Sequence, residues 1–294
     1  MVALWSALAR VGWSNMLAAT LILLALTPLL AWRWRIIARA IAIPLNWHSA
    51  LVIVLIGTFF NQVLPSAIGG DAVRVWLLRN ERAPLAKSLS SILLDRVVAL
   101  FGMVMIVIVG FPWLMEIVRQ PTVRAAATAV VAAGLAGIAL LLSADKVPLP
   151  KALRSVMIVD KLLAISVDAR VVFLAPHTVA PAIFASILIH LMVSAAVWIL
   201  SRGIGLGVGL EVFVLLLPLV LLLSLLPISV AGWGVREGAM IACLALVGVD
   251  PTSAFALSAL FGVVYFLAGL PGGLAWLLSG ERSRIGKPMA PPPE

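Results

Sequence analysis

The sequence predicts an all-α polytopic membrane protein made of two inverted repeats, each a broken re-entrant helical hairpin flanked by transmembrane helices. Three observations predict it. The 294 residues are 63% hydrophobic and 11% charged, far from the roughly 25% charged residues of a soluble domain. Uncharged runs of about 20 residues, the length that crosses hydrocarbon as helix, recur along the whole chain. One motif also occurs twice. LPSAIGGDAVR, ending at Arg74, lies without a gap on LPISVAGWGVR, ending at Arg236, with Leu64, Pro65, Gly70, Val73 and Arg74 matching Leu226, Pro227, Gly232, Val235 and Arg236. Pro, Gly and Arg are uncommon inside apolar sequence, so three of them in register mark an internal repeat.

The first span is expected at about Asn15 to Trp32, ending in WRWRIIAR, with Arg33, Arg35 and Arg39 in the cytoplasm. Basic residues retained inside place the N-terminus outside. Pro65 and Gly69-Gly70 interrupt the next apolar run, and the returning piece Ala72 to Leu78 is too short to cross. The chain must enter and leave on one side there, as a re-entrant hairpin. A long span from about Ala86 to Trp113 carries Asp95 and Arg96, and a span from about Val123 to Ser143 leads back. The basic stretch between Ala144 and Pro176 has apolar residues at helical spacing, from Val156 to Leu174, and reads as an amphipathic helix on the inner leaflet. A span from Thr178 to Ser201, a second hairpin broken at Ala231-Gly232, and a last span from Thr252 to Leu278 follow. Three full spans separate the hairpins, so the second points the opposite way. The predicted division is one transmembrane domain over 1–280, with half 1 at about 14–113, a linker at 114–176 and half 2 at about 177–280, then a proline-rich cytoplasmic tail at 281–294 expected to be disordered.

Other classes of function find no support. The net charge of +9 would suggest nucleic acid in a soluble protein, but here the basic residues sit in short loops and orient the helices. The single Cys243 excludes an intramolecular disulfide and reads as packing. His48, His177 and His190 are too scattered to predict a metal site, and His190 in ILIHLMV reads as a satisfied interior residue. The glycine-rich GIGLGVG has no preceding strand and no closing Lys-Ser or Lys-Thr, so it reads as a turn rather than a nucleotide loop. No Gly-x-Ser-x-Gly nucleophile motif occurs. Neither an enzyme, a metal nor any cofactor is expected.

Candidate function therefore rests on charges in apolar surroundings. An Arg or Asp in hydrocarbon costs at least about 2.5 to 3.5 kcal/mol on the lenient insertion scale, so each must pair, face water or bind something. Asp71, Arg74, Asp95, Arg96, Arg236 and Glu237 qualify. Asp71 and Arg74 share a helix face, and Asp71 is placed to cap the helix beginning after Gly70. Arg236 and Glu237 are sequence neighbours and are expected to find different partners. Backbone amides at Gly69-Gly70 and Ala231-Gly232 open two half-helices, where unpaired N–H groups favour an anion. Two helix starts, each with an arginine one turn on, suit a phosphate. An internal network in which Asp71 and Asp95 neutralise Arg74 and Arg96 is the competing arrangement.

FFNQVLPSAIGGDAVRVWLL, SSILLDRVVAL and LPISVAGWGVREGAM, in that order, resemble the signature stretches of the lysylphosphatidylglycerol synthase transmembrane region, also called the flippase-like domain family. The likeness covers nearly the whole chain. It implies movement of a membrane phospholipid, or of a polyprenyl or hopanoid lipid, between leaflets of a bacterial inner membrane. It marks Asn61, Pro65, Gly69, Gly70, Asp71, Arg74, Asp95, Arg96, Pro227, Gly232, Arg236 and Glu237 as the head-group site. No stretch resembles the aminoacyl-transferring domain of full synthases, so synthase activity does not carry over. A multi-pass lipid transporter with a cytoplasmic C-terminus is the expectation. The rivals are a membrane scaffold for a lipid-modifying enzyme and a small-anion secondary transporter.

Overall fold

The computed structural model describes residues 11–64, 69–80, 83–118, 120–146, 157–224 and 234–279. Among them the regular structure is helical throughout. The helices are α1 (Trp13–Ala40), α2 (Trp47–Val63), α3 (Gly69–Asn80), α4 (Leu85–Val109), α5 (Phe111–Ile117), α6 (Pro121–Ser143), α7 (Met157–Phe173), α8 (Pro176–Gly203), α9 (Leu210–Ser224), α10 (Val235–Ala245) and α11 (Pro251–Leu278), with a 3₁₀ turn at Ala144–Lys146.

Among the described residues five helices are long and apolar enough to cross a membrane: α1, α4, α8, α11, and α6 extended through Lys146. The chain is a multi-pass membrane protein. At 1.5 Å per residue, α3 and α10 reach only about 18 Å and 17 Å, short of a hydrocarbon core of about 30 Å. Large apolar side chains such as Trp13, Leu17, Val109, Trp113, Leu140, Phe184, Leu274 and Leu278 point outward, where lipid takes the place of a core.

Two expected boundaries are corrected. The span expected to end at Trp32 continues as α1 through Ala40, because nothing in RWRIIARA breaks a helix and Ala42 closes it instead. Ala42 adopts φ 65°, and the Ile43 amide donates to the Ala38 carbonyl at 2.9 Å, which is a Schellman closure. The span expected from Ala86 to Trp113 divides at Gly110 into α4 and α5, with Pro112 in the first turn of α5. Proline lacks the N–H that would continue α4's ladder.

Capping explains other helix starts. Asn46 accepts from the Ser49 amide at 2.7 Å to begin α2, and Asp250 accepts from Ser253 at 2.9 Å to begin α11. The hydrogen bond from Ser253 holds the exposed Asp250 carboxyl below its usual range. At the end of α8, Gly205 takes φ 84° and the Leu206 amide reaches the Ser201 carbonyl at 2.9 Å. The stretch read as a turn therefore closes α8 as Ala42 closes α1.

The apolar interior has two parts. One gathers around Trp34, Ile37, Ile56, Leu78 and Leu94, beside the α2–α3 hairpin. The other gathers around Leu200, Phe213, Leu216, Met240 and Leu257, beside the α9–α10 hairpin. Ala19 to Leu26 of α1 belong with the second cluster and Ala31 to Ala38 with the first, whereas Ala182 of α8 lies in the first and Ile189 to Leu200 in the second. So α1 and α8, which share the most extensive helix contact, run antiparallel, and the two hairpins sit toward opposite ends of the long helices. Packing partners correspond across the chain: α1 with α2 and α8 with α9, α2 with α3 and α9 with α10, α3 with α4 and α10 with α11.

Helix α7 packs on α6, α4, α8 and α1. Ser166, Ala169 and Val172 are buried while Leu162, Val167 and Val171 are exposed, and two of its charges turn inward: Asp168 pairs with Lys87 at 2.6 Å, and Arg170 with Asp145 at 2.6 Å.

Candidate functional site

The α2–α3 hairpin closes over two glycines. A Cβ on Gly70 would lie 2.1 Å from the Gly57 carbonyl oxygen, and one on Gly57 would lie 2.7 Å from Arg74 Cγ. Only glycine at both places lets α3 lie on α2 with the Arg74 side chain crossing between them. The Asn61 side chain accepts from the Gly70 amide at 3.0 Å. That N–H is already occupied, so the expected anion contact at Gly70 is corrected to a hairpin latch.

Arg74 passes under the Trp34 ring, with its guanidinium carbon 4.4 Å from the ring centroid, and enters a buried cluster built by three helices. Asp95 of α4 accepts from Arg33 Nε of α1 at 2.8 Å and from Arg74 Nη2 at 3.2 Å. Asp71 accepts from Arg74 Nη1 at 3.5 Å and from Arg96 Nε. Arg33 also donates to Ser186 of α8 at 3.2 Å. Asp71, Arg74, Asp95 and Arg33 are all at least nine-tenths buried, and Arg96 at the edge of the cluster is partly exposed. Among the described residues, three guanidiniums therefore share two carboxylates, leaving one positive charge in excess. Arg74 Nε is buried with no hydrogen-bond partner among the described residues.

Four sequence candidates, Asp71, Arg74, Asp95 and Arg96, thus meet in one cluster, much as the internal network foresaw. Arg33 was missed. The sequence places it in the cytoplasm at the end of the first span, but it is buried on α1, where Asp95 receives it. An arginine seven positions before a helix end is indistinguishable by pattern from a flanking positive charge.

The second pair forms its own site. Arg236 Nη2 donates to Glu237 Oε1 at 2.8 Å and Arg236 Nε to Ser258 at 3.3 Å, while Ser258 donates to Glu237 at 3.2 Å. The expectation of different partners for Arg236 and Glu237 is corrected. Glu237 curls back to accept from the Gly234 amide, as the third residue of a capping box does, and that brings its other oxygen to its neighbour. Arg236 also faces the Phe261 ring at 5.6 Å. Tyr265 of α11 lies within electrostatic reach of both Arg96 and Arg236. Gly69 opens α3 beside Leu64. Pro65, Pro227 and Gly232 fall outside the described residues.

The pairing repeats as well. Arg74 of α3 reaches Asp95 of the next helix, α4, and Arg236 of α10 reaches Ser258 of the next helix, α11. The lysylphosphatidylglycerol synthase TM region family matches residues 1–273. The chain belongs to this family. Neither a curated protein nor a solved structure matches it. A lysylphosphatidylglycerol synthase TM region is a membrane domain, in agreement with the five apolar helices.

His190 is interior, as expected, but only half satisfied. Its Nε2 lies 3.3 Å from the Ala99 carbonyl, and Nδ1 has no partner among the described residues. No group of His, Cys, Asp and Glu suited to a metal occurs among the described residues.

Proposed function

We propose that this chain moves an anionic phospholipid between leaflets of a bacterial inner membrane, as a flippase-like transporter rather than an enzyme. One observation carries the reading: among the described residues, the buried cluster at the α2–α3 hairpin holds one more guanidinium than carboxylate. A buried excess charge is costly, and a phosphodiester, with one negative charge and two free oxygens, offsets it in the geometry arginine prefers. Membership of the lysylphosphatidylglycerol synthase TM region family supports a lipid-related role.

We further read the two halves as inverted repeats, with N-terminus outside and C-terminus in the cytoplasm. Support comes from the matched packing partners, the equivalent Arg74–Asp95 and Arg236–Ser258 contacts, the like endings of α1 and α8, and hairpins at opposite ends. Such repeats let a site open alternately to each side.

Reconstitution into liposomes with labelled phosphatidylglycerol tests the reading. Arg74→Ala is a clean probe, because Arg33 still serves Asp95 and Arg96 still serves Asp71, so no carboxylate is stranded. We expect flipping to stop while the melting temperature changes little. Arg74→Lys should keep part of the rate, since lysine retains charge and loses the planar fork. Flipping by Arg74→Ala at the wild-type rate would sink the head-group role. Uptake of soluble phosphate without lipid movement would single out the small-anion transporter. The scaffold reading draws on α7, whose Leu162, Val167 and Val171 are exposed, and on Leu174 just after it, exposed as well. A stable enzyme partner, lost when these four become serine while Arg74→Ala retains it, would favour that reading.

A further inference from the structure

His190 lies beside the cluster. Ser186, which accepts from Arg33, is one turn before His190 on α8, and Ala99, which faces His190, is one turn after Asp95 on α4. The two helices are locked in register here: a Cβ on Gly102 would lie 2.5 Å from Ser186 Cβ. His190 therefore occupies the next rung of the α4–α8 contact above Arg33 and Asp95. It also lies within electrostatic reach of Arg33.

The ring's protonation pattern follows from its neighbour. A carbonyl oxygen only accepts, so Nε2 carries the hydrogen, and in a neutral imidazole Nδ1 is then a bare lone pair. That lone pair is buried and unpartnered among the described residues, and histidine is the side chain whose ordinary titration lies nearest neutral pH. Of the helices packed on α8, α1 and α4 bring Arg33 and Asp95 to this level. Among the described residues, the other charged or titratable groups of these helices have other contacts or are exposed: Arg35 and Arg39 donate to the Leu45 carbonyl, Arg96 binds Asp71, Lys87 and Asp168 bind each other, Arg170 binds Asp145, Glu211 begins α9, Tyr265 lies by Arg96 and Arg236, and Lys161, His177 and Arg202 are exposed.

We propose that His190 is a proton-binding site coupled to the anion site at Arg33, Arg74 and Arg96, so that a proton and an anionic head group are taken up together. This rests on the head-group reading. A proton on Nδ1 puts a positive charge beside Arg33, within a cluster that among the described residues is already one in excess, and an arriving anion offsets the repulsion. Linkage requires the converse, that anion binding draws a proton onto His190. The coupled ion is then the proton, and a pH difference across the membrane biases the direction of lipid movement.

The test is calorimetric binding of dioctanoyl phosphatidylglycerol to the detergent-solubilised full chain, at about pH 6 and about pH 8 and in buffers of different ionisation heat. Wild type should bind several-fold tighter at the lower pH and take up a proton, with a stoichiometry approaching roughly one per lipid where the ring starts neutral. His190→Gln keeps an N–H donor for the Ala99 carbonyl and cannot titrate. It should bind without proton uptake and without the pH trend. The exposed His48 and His177, changed together to glutamine, should leave both intact. Binding without proton uptake in wild type, or uptake persisting in His190→Gln, overturns the proton site and leaves the head-group reading standing. No binding of the lipid at either pH overturns both.

Discussion

Asp95 is the residue on which the buried charges depend. It holds Arg33 and Arg74 at once, so Asp95→Asn leaves two guanidiniums competing for what remains, and only Arg74 retains a carboxylate, in Asp71. Breaking a buried ion pair from one side costs about 3 to 5 kcal/mol. We expect Asp95→Asn to lower the melting temperature in detergent sharply, and Asp95→Asn with Arg33→Met to recover much of it. Recovery fails if Arg33 is not Asp95's principal partner. The motif residues around this carboxylate were legible in the sequence, because charges inside apolar runs announce themselves. Arg33 was not legible, since positive-inside logic accounts equally well for a basic residue near a helix end. Nor was the Arg236–Glu237 contact, which depends on Glu237 folding back onto Gly234 rather than on helical periodicity.

Among the elements, glycines set how closely helices approach. A Cβ on Gly272 of α11 would lie 2.0 Å from the Leu55 carbonyl oxygen of α2, and backbone cannot yield as a flexible side chain does. Gly272→Ala and Gly70→Ala should each reduce the folded, monodisperse fraction on size-exclusion chromatography. Gly137→Ala, whose new methyl meets nothing within 4 Å, should match wild type. Equal behaviour of all three would mean that the hairpin and α11 do not approach as described. The sequence revealed that Gly69-Gly70 breaks an apolar run, and it placed α8 and α11 within two residues. It did not reveal which glycines face backbone, because that depends on partners distant in the chain. The division at Gly110 was missed for a related reason: apolar composition runs straight through it, and only Pro112 marks the turn.

At the scale of the molecule, the proposed inverted arrangement makes a prediction that needs no substrate. Arg39 near the end of α1 and Arg202 near the end of α8 are both exposed and sit at matched places before the like helix endings. In a Cys243→Ala background, single cysteines at 39 and 202 in membrane vesicles should react with an impermeant maleimide from opposite sides. Reaction from one side only would end the inverted-repeat proposal. The order in which the chain is made adds a further constraint. Arg33 and the Asp95 that neutralises it are 62 residues apart, and Arg33's other partner, Ser186, is 153 residues away. During synthesis α1 is complete long before α4 emerges, and an unpaired guanidinium is expelled from hydrocarbon toward the interface. We therefore expect α1 to stay tilted or incompletely inserted until Asp95 arrives to draw it to its final depth. Insertion is then a post-dated event, in which a later helix sets where an earlier one comes to rest.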